Sequence, residues 1–146
     1  MNIYTTDKIR NVVLLGHGGS GKTSLAEAFG YLSGITSRMG KVDDGNTLSD
    51  YSKEEQKRHF SISTSVIPIE WEGYKINIID TPGYFDFVGE VEEAVSAAGA
   101  AIIVVNGKSG IEVGTQKAWE LCEKSKSPGV SIILILYPSH SMGITE

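Results

Sequence analysis

The segment that most constrains the fold of this chain covers residues 16–23 and reads Gly-His-Gly-Gly-Ser-Gly-Lys-Thr. It matches an eight-position pattern with glycine at positions one and six, lysine at seven and threonine at eight. Glycines permit a tight turn whose backbone N–H groups point inward, a concavity that side chains would block. The pattern predicts a phosphate-binding loop between a buried strand and a helix. The alternative is a glycine-rich turn that binds no ligand.

We assign the whole loop to nucleotide phosphates, and each residue type has a physical reason. The helix that begins near Lys22 adds its positive end to the inward N–H groups. Lys22 supplies a point charge for the β- and γ-phosphates, and Thr23 offers a hydroxyl to Mg²⁺. The side chain of His17 is expected to face solvent. The predicted binding residues are Gly16, His17, Gly18, Gly19, Ser20, Gly21, Lys22 and Thr23.

A second motif, Asp80-Thr81-Pro82-Gly83, follows the apolar run 76–79. An aspartate at the end of a buried strand can reach Mg²⁺ from the side opposite Thr23, usually through water. Gly83 places a bare backbone N–H where a γ-phosphate ends, and a glycine there can change conformation when that phosphate leaves. We assign all four residues to the nucleotide site. The alternative is a plain turn between a strand and a loop.

Apolar runs alternate with amphipathic stretches along the chain, which predicts an α/β fold. The expected architecture is the three-layer sandwich of P-loop nucleotide-binding proteins, with a mostly parallel sheet and one antiparallel edge pair. Two helices should bury apolar stripes, one at Leu25, Phe29 and Leu32, the other at Val88, Val91, Val95 and Ala98. The predicted strands are 11–15, 63–69, 74–79, 101–105 and 131–136, and the predicted helices are 22–32, 88–98 and 113–124. The polar segment 34–61 is long for a connection, which suggests a functional loop.

Composition narrows the function classes. With 13 basic and 18 acidic residues, the net charge of −5 argues against direct DNA binding, because that footprint is basic. Cys122 is the single cysteine, so an intrachain disulfide is impossible, and we expect a small buried side chain in a reducing compartment. The longest apolar stretch, 97–105, is too short to span a bilayer. The start lacks the apolar core of a signal peptide. We therefore expect a cytoplasmic protein without membrane contact.

The two motifs in combination resemble the translational GTPases, and neighbouring segments resemble elongation factor G in particular. These segments are Gly-Lys-Val-Asp-Asp-Gly at 40–45, Asp-Tyr at 50–51, Glu-Glu-Gln-Lys-Arg at 54–58, Asp-Phe-Val-Gly-Glu-Val at 86–91 and Gly-Ile-Glu-Val-Gly-Thr-Gln at 110–116. The resemblance extends from about residue 10 to about residue 124. It implies a domain that binds GTP and GDP with Mg²⁺, hydrolyses GTP and acts on the ribosome in translocation or a related step.

The resemblance also implies roles for single residues. Ser61 stands where the family has a threonine that closes over Mg²⁺, so the implied metal residues are Thr23, Ser61 and Asp80; the alternative for Ser61 is a hydroxyl that merely starts a strand. Tyr84 replaces the family's histidine that orients the attacking water. A tyrosine stays neutral at pH 7, so we expect slow hydrolysis and a divergent branch of the family. The implied catalytic residues are Lys22, Gly83 and Tyr84.

The base-recognition sequence of the family, Asn-Lys-x-Asp, occurs nowhere in the chain. After the predicted strand 131–136 the sequence continues Tyr-Pro-Ser-His. We therefore expect residues 1–146 to form a partial, C-terminally incomplete GTP-binding domain without the later domains of an elongation factor. Two other interpretations remain open. One is a remnant that binds phosphates weakly without productive hydrolysis, and the other is a P-loop ATPase or kinase.

Overall fold

The computed structural model describes residues 2–49, 52–58, 61–83, 88–125 and 131–137, with only the backbone for Arg58 and for 131–137. Within these ranges five strands form one sheet in the order β2-β3-β1-β4-β5. Their bounds are β1 Ile9–Leu15, β2 Ser65–Trp71, β3 Tyr74–Asp80, β4 Ala100–Asn106 and β5 Ser131–Tyr137.

The central strand β1 pairs in parallel with β3 on one side and with β4 on the other, and β4 pairs in parallel with β5. Of these five strands, β2 alone runs antiparallel, as the edge partner of β3. These two strands form a hairpin whose turn residues, Glu72 and Gly73, both have positive φ (47° and 80°), as a tight two-residue turn requires. The predicted α/β fold with one antiparallel edge pair is confirmed.

Four α-helices accompany the sheet in the described residues: α1 Lys22–Leu32, α2 Lys53–Arg58, α3 Val88–Ala97 and α4 Val113–Lys124. Two 3₁₀ turns occupy Thr6–Lys8 and Val42–Asp44. The long polar segment therefore contains a 3₁₀ turn and the short helix α2. None of the described helices combines the length and apolar character that crossing a bilayer requires.

The sheet buries a separate apolar cluster on each face. On one face, Val13, Ile103 and Val105 pack with Val95 of α3 and Cys122 of α4. Cys122 is thus a buried apolar side chain, as expected, and burial raises the pKa of its thiol. On the other face, the cluster contains Leu14, Ala26, Ile67, Ile69, Ile78, Ile102 and Val104, against which Leu25 and Phe29 of α1 pack. Helices on both faces give the three layers.

Two predicted core positions lie at helix ends and are exposed. Leu32 is the last residue of α1 and is 68% exposed, so the predicted stripe was wrong there. The helix buries Ala26 and Gly30 instead, because it packs close to Leu48: a Cβ at Gly30 would lie 2.6 Å from the Leu48 side chain. Val88 begins α3 and is 53% exposed, whereas Val95 is buried as predicted.

Candidate functional site

The predicted phosphate loop follows β1 directly and leads into α1 at Lys22. Gly16 has φ 141°, and a Cβ there would overlap the carbonyl oxygen of Val104 in β4. Glycine is required at this position because the loop begins in contact with the neighbouring strand. The parallel strands β1 and β3 end at the same edge of the sheet, so the loop lies beside the Asp80 motif.

Lys22 is buried, and its ammonium group is fixed inside the loop. Its Nζ donates hydrogen bonds to the carbonyl oxygens of Gly16 (3.0 Å) and His17 (2.9 Å). Burial lowers the pKa of Lys22 to about 8, against the opposing influence of the Asp80 carboxylate. Of the three N–H groups of the ammonium, two are used by the loop. The third can serve an anion, which would also restore the charge balance of a buried cation.

The low pKa of Lys22 predicts a pH-dependent stability of the ligand-free chain. The unfolded lysine binds its proton up to about pH 10.5, whereas the folded lysine releases it near pH 8, so the unfolded state holds more protons between these values. The free energy of unfolding should therefore rise across that window, by about 3 kcal/mol relative to a Lys22→Met variant. Urea unfolding of both proteins at pH 7.5 and 10.5 measures this. A pH-independent difference would contradict it.

The three predicted metal residues come together at the start of α1. The Thr23 hydroxyl donates to Asp80 Oδ2 (2.8 Å), and its oxygen lies 3.2 Å from the Ser61 hydroxyl oxygen. Ser61 and Asp80 are both buried. Next to Asp80, the Thr81 hydroxyl donates to the carbonyl of Leu14 (2.6 Å), which ties the end of β3 to the end of β1. Residues far apart in sequence thus form one oxygen-rich corner.

Gly83 lies directly over the phosphate loop. A Cβ at Gly83 would lie 2.6 Å from Lys22 Nζ and 2.7 Å from the backbone nitrogen of Gly18. The side chains of Thr81 and Pro82 beside it are buried. The predicted catalytic residue Tyr84 lies outside the described residues.

The donor set fits a small hard cation beside phosphate oxygens. Mg²⁺ is held by few carboxylates and keeps waters and phosphate oxygens, and this corner offers two hydroxyls and one carboxylate. The described residues contain no cluster of three His, Cys, Asp or Glu side chains that would suit another metal.

The Ser20 hydroxyl in the phosphate loop is buried and has no hydrogen-bond partner among the described residues. A phosphate oxygen would supply that partner.

The sequence suggested that the side chain of His17 faces solvent. In the structure it also contacts residues at the start of α4. Its Nδ1 accepts a hydrogen bond from the backbone N–H of Gly114 (3.3 Å), and its Nε2 lies 3.8 Å from Glu112 Oε1. Glu112 and Thr115 form a capping box at the start of α4. His17 therefore connects the phosphate loop to α4, and no pattern within the loop could indicate this contact.

Two buried carboxylates near the site were missed by sequence reasoning. Glu27 of α1 accepts the backbone N–H groups of Gly40 and Leu48, both at 2.8 Å. Glu55 of α2 accepts those of Ser52, Ile62 and Ser63. The one available signal was Ser52-x-x-Glu55, which has the spacing of a helix capping box.

The chain is similar in sequence to known GTP-binding domains. The sequence profile of the elongation factor Tu GTP-binding domain matches residues 7–136. The chain is 39% identical over 126 residues to mitochondrial ribosome-releasing factor 2 of Danio rerio, and 34% identical over 133 residues to elongation factor G of Granulibacter bethesdensis. These alignments cover 86% and 91% of this chain, but 16% and 19% of the relatives.

A solved structure of a protein from Thermus thermophilus superposes with a TM-score of 0.78 at 43% identity, over 80% of this chain and 18% of that one. The chain therefore spans about a sixth to a fifth of the length of the relatives it matches. The profile match extends from before β1 to the last residue but one of β5, so it includes both motifs and the segment between them. The chain belongs to the family of the elongation factor Tu GTP-binding domain, the GTP-binding domain of translational GTPases.

Proposed function

We propose that the site binds GTP with Mg²⁺ and hydrolyses it to GDP and phosphate. The observation that carries the proposal is the corner in which Thr23 Oγ1 lies 2.8 Å from Asp80 Oδ2 and 3.2 Å from Ser61 Oγ, beside the buried ammonium of Lys22. The lysine ammonium and the hydroxyl groups together suit the binding of the β- and γ-phosphates of a nucleoside triphosphate.

Each residue has a defined part in this proposal. The loop N–H groups and Lys22 would bind the phosphates. Thr23, Ser61 and Asp80 would hold Mg²⁺, which would neutralise charge on the phosphate oxygens when bound. Gly83 offers its backbone N–H to the γ-phosphate. Water attacks the γ-phosphorus, and the bond to the β–γ bridging oxygen breaks. Because the reaction depends on positioning and electrostatics, Tyr84 in place of a histidine is expected to make hydrolysis slow.

The ribosome is the proposed partner of the protein to which this domain belongs. The relatives named ribosome-releasing factor 2 and elongation factor G support a role in a ribosomal step. The relative from Danio rerio is described as mitochondrial. We therefore propose that this protein works in a compartment that contains ribosomes, and the cytoplasmic location stays a prediction. Residues 1–146 are proposed as part of the GTP-binding domain of such a factor.

Nucleotide competition tests the proposal. With a fluorescent GTP analogue and Mg²⁺, unlabelled GTP should displace the analogue, and the thermal midpoint should rise with GTP and Mg²⁺ because a ligand of the native state stabilises it. The preference over ATP is expected to be modest, since the chain contains no Asn-Lys-x-Asp. A clear preference for ATP would overturn the guanine assignment. No displacement and no thermal shift would support the inactive remnant instead.

A further inference from the structure

The carboxylate of Glu55 organises the chain immediately after Ser61. Glu55 is only 2% exposed. Its Oε1 accepts the backbone N–H groups of Ile62 (3.0 Å) and Ser63 (3.1 Å), and its Oε2 accepts that of Ser52 (3.1 Å). The backbone N–H of Glu55 donates in turn to the Ser52 hydroxyl (3.1 Å), which completes a capping box at the start of α2.

The carboxylate is a strong acceptor for these N–H groups. Burial alone would raise the pKa of Glu55, but the hydrogen bonds from Ser52, Ile62 and Ser63 outweigh it and hold the pKa below the ordinary value. Glu55 is therefore ionised at neutral pH, and hydrogen bonds to an ionised acceptor are stronger than neutral ones. Such bonds can hold a segment that has no regular secondary structure of its own.

Residues 61–64 are such a segment, because β2 begins only at Ser65. Its last residue, Thr64, donates its backbone N–H to Glu90 of α3 (2.9 Å). The peptide groups that follow Ser61 are thus bound by side-chain carboxylates rather than by a sheet ladder. Since the two amides held by Glu55 lie directly after Ser61 in sequence, their position restricts where the Ser61 hydroxyl can lie relative to Thr23.

We propose that Glu55 is a positioning residue for magnesium: by binding the N–H groups of Ile62 and Ser63, it keeps the Ser61 hydroxyl next to Thr23 and Asp80. This inference rests on the proposed function of the same site. Among the described residues, the Glu55 carboxylate accepts hydrogen bonds from Ser52, Ile62 and Ser63 and not from the proposed metal residues. Removal of residues that orient metal ligands typically lowers metal affinity by about 10- to 100-fold.

The test measures the affinity for a fluorescent GTP analogue at saturating MgCl₂ and in EDTA, for the full chain. Their ratio is the gain in affinity due to Mg²⁺. Glu55→Ala should lower this gain by about tenfold or more, with little change in EDTA. Glu55→Gln should fall in between, because its amide oxygen can still accept from Ile62 and Ser63 while its NH₂ group faces the Ser52 N–H.

Glu27→Gln is the matched control. Glu27 is equally buried and also accepts two backbone N–H groups, but these belong to Gly40 and Leu48 rather than to the neighbours of Ser61. Its replacement should lower the thermal midpoint and leave the gain due to Mg²⁺ unchanged. If Glu55→Ala does not fold, the comparison of Glu55→Gln with Glu27→Gln decides the question alone.

A double-mutant cycle separates positioning from a merely structural role. If Glu55 acts through Ser61, then Ser61→Ala should show the same loss, and adding Glu55→Gln to it should lower the gain no further. Additive losses, an unchanged gain in Glu55→Gln, or an equal loss of affinity with Mg²⁺ and in EDTA would each overturn the inference. If Mg²⁺ did not increase the affinity of the unmodified chain for the GTP analogue, the proposed function itself would be overturned.

Discussion

Lys22→Ala is expected to weaken the binding of GTP by about a hundredfold while leaving the ligand-free fold intact. A hydrogen bond to a charged group contributes about 1.5–3 kcal/mol, and the alanine variant loses both that bond and the buried cation that attracts phosphate. The fold should tolerate the change, because Lys22 is a buried cation whose charged form is disfavoured in the native state. Titration with a fluorescent GTP analogue measures the affinity, and thermal unfolding measures the fold.

Lys75→Ala is the control for this experiment. Lys75 lies near the beginning of β3, at the opposite end of the strand from Asp80, so its removal lowers the net charge of the chain equally without touching the loop. It should bind GTP like the unmodified chain. If Lys22→Ala also did so, Lys22 would not be a phosphate ligand, and the assignment of the whole loop would fail.

Gly16→Ala is expected to lower the free energy of unfolding by about 3 kcal/mol or more. The new methyl group would overlap the carbonyl oxygen of Val104, and φ 141° is a conformation that residues with a Cβ rarely adopt. The Cβ is fixed directly to the loop backbone and the carbonyl oxygen belongs to the backbone of β4, so the loop or β4 must move. Urea unfolding of the ligand-free chain measures the effect, and GTP affinity should fall with it.

Gly19→Ala is the control that measures the cost of backbone strain without a steric overlap. Gly19 also has a positive φ, 78°, but a Cβ there would meet no atom within 4 Å. Its replacement should therefore cost about 1 kcal/mol, from conformation alone. Equal losses in the two variants would show that the overlap with Val104 adds nothing to the cost of the backbone strain.

Much of the fold could be predicted because its signals are local. The amphipathic pattern predicted helices 22–32 and 113–124 with the bounds observed for α1 and α4. The apolar stripe of α1 was wrong at Leu32 because periodicity gives the face of a helix but not the point at which its neighbours end. The neighbour that the end of α1 meets is Leu48, which packs against Gly30 and comes from the distant polar loop.

The candidate site also has parts that the sequence predicted and parts that it did not. The phosphate loop and the Asp80 motif are recognisable because phosphate binding requires particular residue types at fixed spacing. The approach of Ser61 to Thr23 was implied only by the family resemblance, and as a metal site it stays a prediction. Glu27 and Glu55 were missed because a glutamate on a helix normally faces solvent. Glu27 is bound by residues of the polar segment, and Glu55 by Ile62 and Ser63 just after that segment; no local pattern contains these contacts.

The contact between Gly16 and Val104 also sets the order in which the domain can assemble during synthesis. The phosphate loop is made early, but the strand against which it closes follows far downstream, after β3 and α3. The central strand β1 likewise has both its partners, β3 and β4, in later parts of the chain. Contacts of such large sequence separation form slowly, because long loops must close first. A nascent chain that has emerged only as far as α1 therefore has the motif but no binding site. If the site binds nucleotide as proposed, the ligand could assist folding only after β4 has left the ribosomal tunnel.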